Sequence, residues 1–113
     1  MNTASFNTDI EFNDTRPAIK VILESPFSKE IRILLKKGQI MKEHKAPYPI
    51  IVHILKGSID FGVNGTTSTL VEGQIISLAA KVLHDLKAHE NSIVRLTLLK
   101  SDSAERVKQV VDS

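Results

Sequence analysis

Residues 38–57 read GQIMKEHKAPYPIIVHILKG, and this stretch decides what kind of fold the chain builds. One histidine, His44, stands ahead of a loop broken by Pro47 and Pro49, and the apolar run 50–55 then ends at Gly57. Apart from His53 that run is apolar at every position, as expected of a strand covered on both faces, by a core inside and by another sheet or subunit outside. Residues 73–88, GQIISLAAKVLHDLKA, echo the pattern with a glycine, a short apolar run and a second histidine, His84. Two such units suit a fold made of two related halves.

Working outward, the flanking segments carry the period-two signature of half-buried strands. In residues 18–24 Ile19, Val21 and Leu23 alternate with Lys20 and Glu24; in residues 29–36 Ile31, Ile33 and Leu35 alternate with Glu30, Arg32 and Lys36. Ser25-Pro26 and Lys37-Gly38 end these two strands. Residues 58–63 and 66–71 flank Asn64-Gly65, a strong short hairpin signal because both turn residues must take positive φ. Residues 74–78, 82–88 and 92–100 supply three more strands. Short strands at this spacing, punctuated by glycine, predict an all-β sandwich or barrel. Residues 1–15 are polar, with Ile10 and Phe12 as the only anchors, and read as a loosely held arm or short edge strand. The tail, 102–112, reads as a short C-terminal helix: Ser103 is its N-cap, and Val107, Val110 and Val111 share one face.

Composition removes several functions. With 113 residues, 42% of them apolar and 25% charged, the chain fits a single soluble domain of 1–113 with one core, at about 18–100. No apolar run is long enough to span a membrane, and the opening MNTASFNTDIEFND has no basic segment followed by an apolar block, so the expected location is cytoplasmic. Cysteine is absent, which excludes disulfides, thiolate metal sites and cysteine nucleophiles. The formal charge is +2, and Lys36, Lys37, Lys42 and Lys45 read as a solvated rim. One tyrosine and four scattered phenylalanines offer little for base stacking, so neither nucleic acid nor membrane is an expected partner.

On these residues the chain resembles the cupins, whose fold is a small jelly-roll barrel, the double-stranded β-helix. The first cupin motif runs from a glycine through a His-x-His pair and a glutamate to a closing glycine. Here Gly38, His44 and Gly57 fall in register, while Ala46 takes the second histidine position and Ile50 the glutamate position. In the second motif Gly73 and His84 match, while Ala79, Lys81 and Ala88 replace a proline, a glycine and an asparagine. The resemblance spans residues 18–100. The run at 44–57 is more closely similar to a subset of small stand-alone bacterial cupins with degenerate metal motifs. Fold alone does not choose among cupin functions, which include dioxygenases, isomerases, decarboxylases, storage proteins and sensor domains.

The resemblance implies a divalent metal held by three histidines and a glutamate, of which only His44 and His84 remain. Zinc sites generally take three protein ligands and the non-haem iron triad two histidines plus a carboxylate, so the set is incomplete. By strand parity, an inward His44 shares its face with Ala46, Ile50, Val52 and Ile54, and Glu43 and His53 point outward. His89 is likewise out of phase with His84, and Glu90 sits beyond the strand end. The metal cage becomes an apolar wall. The leading expectation is therefore a homodimeric cupin that binds a small molecule in a pocket lined by His44, His84, Tyr48, Ala46, Ile50 and Val52. The alternative is a metal-dependent oxygenase or isomerase in which His44 and His84 hold a divalent ion (Zn, Fe, Mn or Ni) completed by water or substrate. A third is a sensor or interaction module without catalysis. Tyr48, between two prolines, is read either as a lid or donor at the barrel mouth or as a cap on the core, and Lys81 as a solvated turn residue. Dimerisation is expected because Ile51 and Leu55 would otherwise leave apolar surface in water.

Overall fold

The computed structural model describes residues 1–100. Nine strands lie between Ala18 and Leu99: β1 (Ala18–Glu24), β2 (Ser28–Leu35), β3 (Ile40–His44), β4 (Ile50–Lys56), β5 (Ser58–Val63), β6 (Thr66–Val71), β7 (Ile75–Leu78), β8 (His84–Ala88) and β9 (Ser92–Leu99). They form two antiparallel sheets, a five-stranded one in the order β1-β2-β9-β4-β7 and a four-stranded one in the order β3-β8-β5-β6. The chain crosses between the sheets repeatedly, as in a jelly roll. The expected helix at 102–112 lies outside the described residues.

Apolar residues at alternate positions meet between the sheets. Ile31, Ile33 and Leu35 of β2 and Ile50, Val52 and Ile54 of β4 face Ile59 and Phe61 of β5 and Leu86 of β8, all of them buried. At roughly 1.5–3 kcal/mol for each fully buried side chain of this size, these inner faces supply the main stabilisation. The β5–β6 hairpin turns at Asn64 (φ 49°) and Gly65 (φ 82°), the two positive φ values that Asn-Gly readily adopts.

One expectation is corrected. Ile19 and Val21 pair with Ile33 and Ile31 and so face the inner side, yet they are 58% and 48% exposed. β1 is the outermost strand of a sheet that is one strand wider than its partner, so nothing lies opposite it. The outer residues of β4, Ile51, His53 and Leu55, are half-buried within one chain.

The N-terminal arm forms no strand. Ile10 and Phe12 are half-buried, but what ties the arm down is Arg32 of β2, 3% exposed. One terminal amino group of Arg32 donates to the carbonyls of Phe6 (3.1 Å) and Thr8 (2.7 Å), the other to that of Asp9 (3.1 Å). Lys36 pairs with Asp14, and the Gln39 amide donates to the Asn13 carbonyl at 2.7 Å. A strand arginine that looked like ordinary surface charge is therefore buried beneath main chain.

Candidate functional site

His44 and His84 end β3 and begin β8, and the two strands pair so that these residues stand directly opposite each other. Met41 pairs with Leu86 and faces the core. Strict alternation from Met41 would turn Glu43 inward and His44 outward. The register shifts between Met41 and His44, so two residues instead of one separate the inward positions, and the irregularity turns His44 towards His84. Their ring centroids lie 4.2 Å apart with the planes at 62°. Phe61, on the neighbouring strand β5, lies almost parallel to His84, with centroids 5.8 Å apart and 8° between the planes. Sequence reading missed Phe61; the Asn64-Gly65 turn, which fixes the β5 register, was the signal that could have found it.

Each imidazole is oriented in the same way. His44 Nδ1 lies 2.7 Å from the Lys42 carbonyl and His84 Nδ1 lies 3.0 Å from the Val82 carbonyl. A carbonyl only accepts, so both Nδ1 atoms carry the proton, which leaves Nε2 as the acceptor of each ring in its neutral form. His84 is 3% exposed. Burial pushes its imidazole below the ordinary histidine value and the neighbouring His44 adds to this, against the opposing pull of the Val82 carbonyl bond and Asp85.

The remaining candidates are placed as follows. Ile50 and Val52 are each 2% exposed and belong to the packed core, with Ala46 half-buried against it. Tyr48 is 42% exposed and lines a separate open groove of about 380 Å³ with Ala46, Pro47, Leu98, Lys29 and Lys100. The Tyr48–Pro49 bond is trans. His53 pairs with Ile75 and Arg95 on the outer face, and His89 points away to Asp60, 2.6 Å from it. Lys81 has φ 64° where the cupin motif has glycine, a conformation that disfavours a side chain by roughly 1–2 kcal/mol. Its N–H donates to the Ala46 carbonyl at 2.8 Å, tying the loop before β8 to the loop after β3.

Among the described residues, no group of three or more His, Asp or Glu side chains comes together as a metal site. Glu43 and Glu90 are exposed. The donor set at His44 and His84 stops at two imidazoles and does not by itself fit a complete divalent-metal site.

No protein-family model and no curated protein matches the sequence. Solved structures do. An RmlC-like cupin from Desulfovibrio desulfuricans superposes with a TM-score of 0.80 at 19% identity, over 88% of this chain and 96% of that one. A conserved protein of unknown function from Streptococcus pyogenes gives 0.75 at 22% identity, over 88% and 87%. A cupin 2 conserved barrel domain protein from Leptotrichia buccalis gives 0.73 at 25% identity, over 80% of this chain and 44% of that one. The chain thus has the fold of the cupin proteins it superposes on. Among the described residues no helix is long and apolar enough to cross a membrane.

Proposed function

We propose that the protein binds a small organic molecule between its sheets, with the Nε2 atoms of His44 and His84 accepting hydrogen bonds from it. The observation that carries this reading is the commitment of both Nδ1–H groups to main-chain carbonyls. An imidazole Nε2 that is left as an acceptor is met by a donor or a cation. The ligand is therefore a neutral or cationic molecule rich in hydroxyl or amino donors, with an apolar part against the wall that Met41 and Phe61 help to form. A carboxylate would bring a third set of lone pairs to the same place and is disfavoured. Pockets that combine apolar walls with a few directed polar groups are the usual small-molecule sites of barrels.

The test is a thermal-shift screen of polyols, amines and matched carboxylates against the wild type and the His44→Ala and His84→Ala variants. Stabilisation by a donor-rich compound, lost in both variants, is expected. Stabilisation by carboxylates alone, lost in both histidine variants, would overturn the reading.

A second reading has one observation in its favour: a Nδ1–H to carbonyl bond is how ligating imidazoles are commonly oriented. It makes the protein a metal-dependent oxygenase or isomerase in which His44 and His84 would hold a divalent ion together with water or substrate. The wild-type metal content separates the two.

We also propose a homodimer formed through the outer face of β4 and β7. Ile51 and Leu55 are half-buried there, and Ile75 is 64% exposed. Leu55→Asp should convert a dimer to a monomer in sedimentation analysis; unchanged mass would remove this face from the interface.

A further inference from the structure

The outer face of the five-stranded sheet, away from the histidines, carries a cavity of about 310 Å³ between the N-terminal arm and the turn joining β1 to β2. Its walls are apolar, built from Phe6 of the arm, Ile22 and Leu23 of β1 and Phe27 of the turn. Phe27 is 58% exposed, an aromatic ring held at the rim with little to cover it. The floor is polar, formed by Ser28, Glu30 and Arg95.

The floor's hydrogen bonds are unevenly distributed. Glu30 is occupied on both oxygens: Oε1 accepts from Thr97 Oγ1 (2.5 Å) and Arg95 Nε (3.0 Å), and Oε2 accepts from Ser28 Oγ (2.8 Å). Arg95 uses only its Nε. Among the described residues its two terminal amino groups have no protein partner, and its guanidinium lies 5.7 Å from the centre of the Phe6 ring. Directly across the strands, Arg32 pairs in register with Arg95; among the described residues no carboxylate neutralises it, carbonyls alone hold it, and its buried Nε has no partner. Two guanidinium groups thus lie across from each other with one carboxylate, Glu30, bonded to only one of them, leaving an excess positive charge beside an apolar cavity.

We propose that this cavity is a second binding site, for a small monocarboxylate with an aromatic or branched apolar body. The free amino groups of Arg95 take the carboxylate through two parallel hydrogen bonds, the geometry that a guanidinium fork favours. Phe6 and Phe27 take the apolar body. The class of anion follows from Glu30: a doubly charged phosphate ester would meet its fixed negative charge, whereas a planar monoanion needs only the single fork. This site is independent of the histidine pair.

Phenylacetate is the probe, with phenylacetamide as its uncharged counterpart, titrated by NMR and calorimetry into the full untagged chain. Phenylacetate is expected to bind the wild type with millimolar or better affinity, and the amide about tenfold or more weakly, because the charge-assisted fork is lost. Arg95→Gln should weaken phenylacetate by a similar factor. Because Arg95 also supports Glu30, the exposed Phe27→Ser provides a variant that leaves the floor intact, and it should weaken binding as well. His84→Ala should leave binding unchanged. The proposal is overturned by no binding to wild type at tens of millimolar, equal binding of acid and amide, binding that survives in both Arg95→Gln and Phe27→Ser, or binding lost in His84→Ala.

Discussion

Gly57 marks the corner where the chain leaves β4 in one sheet and enters β5 in the other, and replacing it by alanine tests how tightly that corner is built. Its φ is +88°, and a Cβ there would lie 2.6 Å from the Asn91 carbonyl oxygen and 2.9 Å from Ser92 Cα, besides colliding with Ser92 Oγ. The first two are backbone atoms and cannot swing aside. Ser92 is fully buried, and its hydroxyl accepts the Ser58 N–H at 3.2 Å and lies 2.8 Å from the Glu90 carbonyl, so displacing it also disturbs the start of β5. Gly73 is the internal control: its φ is +90°, but nothing lies within 4 Å of its Cβ position. Alanine at either site carries the left-handed penalty of roughly 1–2 kcal/mol, offset by about 0.4–1 kcal/mol through a less flexible unfolded chain. Gly73→Ala should therefore destabilise by about 1 kcal/mol. Gly57→Ala adds an overpacking cost of roughly 1–3 kcal/mol, for a total near 2–4 kcal/mol. Urea unfolding with unchanged m-values measures both. Equal losses in the two variants would refute the steric argument, and a larger loss at Gly73 would reverse it.

The outer face supplies two further predictions. Burial pushes the Glu30 carboxyl up, but hydrogen bonds from Thr97, Ser28 and Arg95, with the Arg95 charge, outweigh it and hold the group below its ordinary 4.5. A depressed folded-state value means that this stabilisation is complete above about pH 4.5 and is lost as pH falls through the folded value. Glu30→Gln should lower stability at neutral pH by about 1–3 kcal/mol and flatten the acid limb of urea midpoint against pH; a limb as steep as wild type would contradict the assignment. Arg32→Met removes the three carbonyl contacts that fasten the arm, so limited proteolysis within residues 4–12 should accelerate markedly, and a cleavage rate equal to wild type would show that other contacts hold the arm.

Much of the strand pattern was legible because one physical signal dominated each segment. Asn64-Gly65 fixed the β5–β6 hairpin, and the unbroken apolar run of β4 announced a central strand. β3 was not recognised as a strand, because IMKEH has no clean alternation once its irregularity is included. β1 showed the expected alternation, but alternation reports which way residues point and not whether anything lies opposite, and Ile19 and Val21 remain exposed. The arm's attachment left no trace in the side chains of residues 6–9, since Arg32 binds their carbonyls, which every residue possesses. At the site, the glycine and histidine spacing brought His44 and His84 into consideration together. The bulge that turns His44 inward and the stacking of Phe61 on His84 depend on register between strands distant in sequence, which one strand's periodicity does not encode.

The central claim is that His44 and His84 receive an organic donor and do not hold a tightly bound metal. Elemental analysis of untagged protein purified without chelator, alongside His44→Ala and His84→Ala, tests it most directly. The account predicts metal far below one ion per chain in all three proteins. Near-stoichiometric zinc, iron, manganese or nickel in the wild type, lost in either variant, would contradict it and establish the metal-dependent reading in its place.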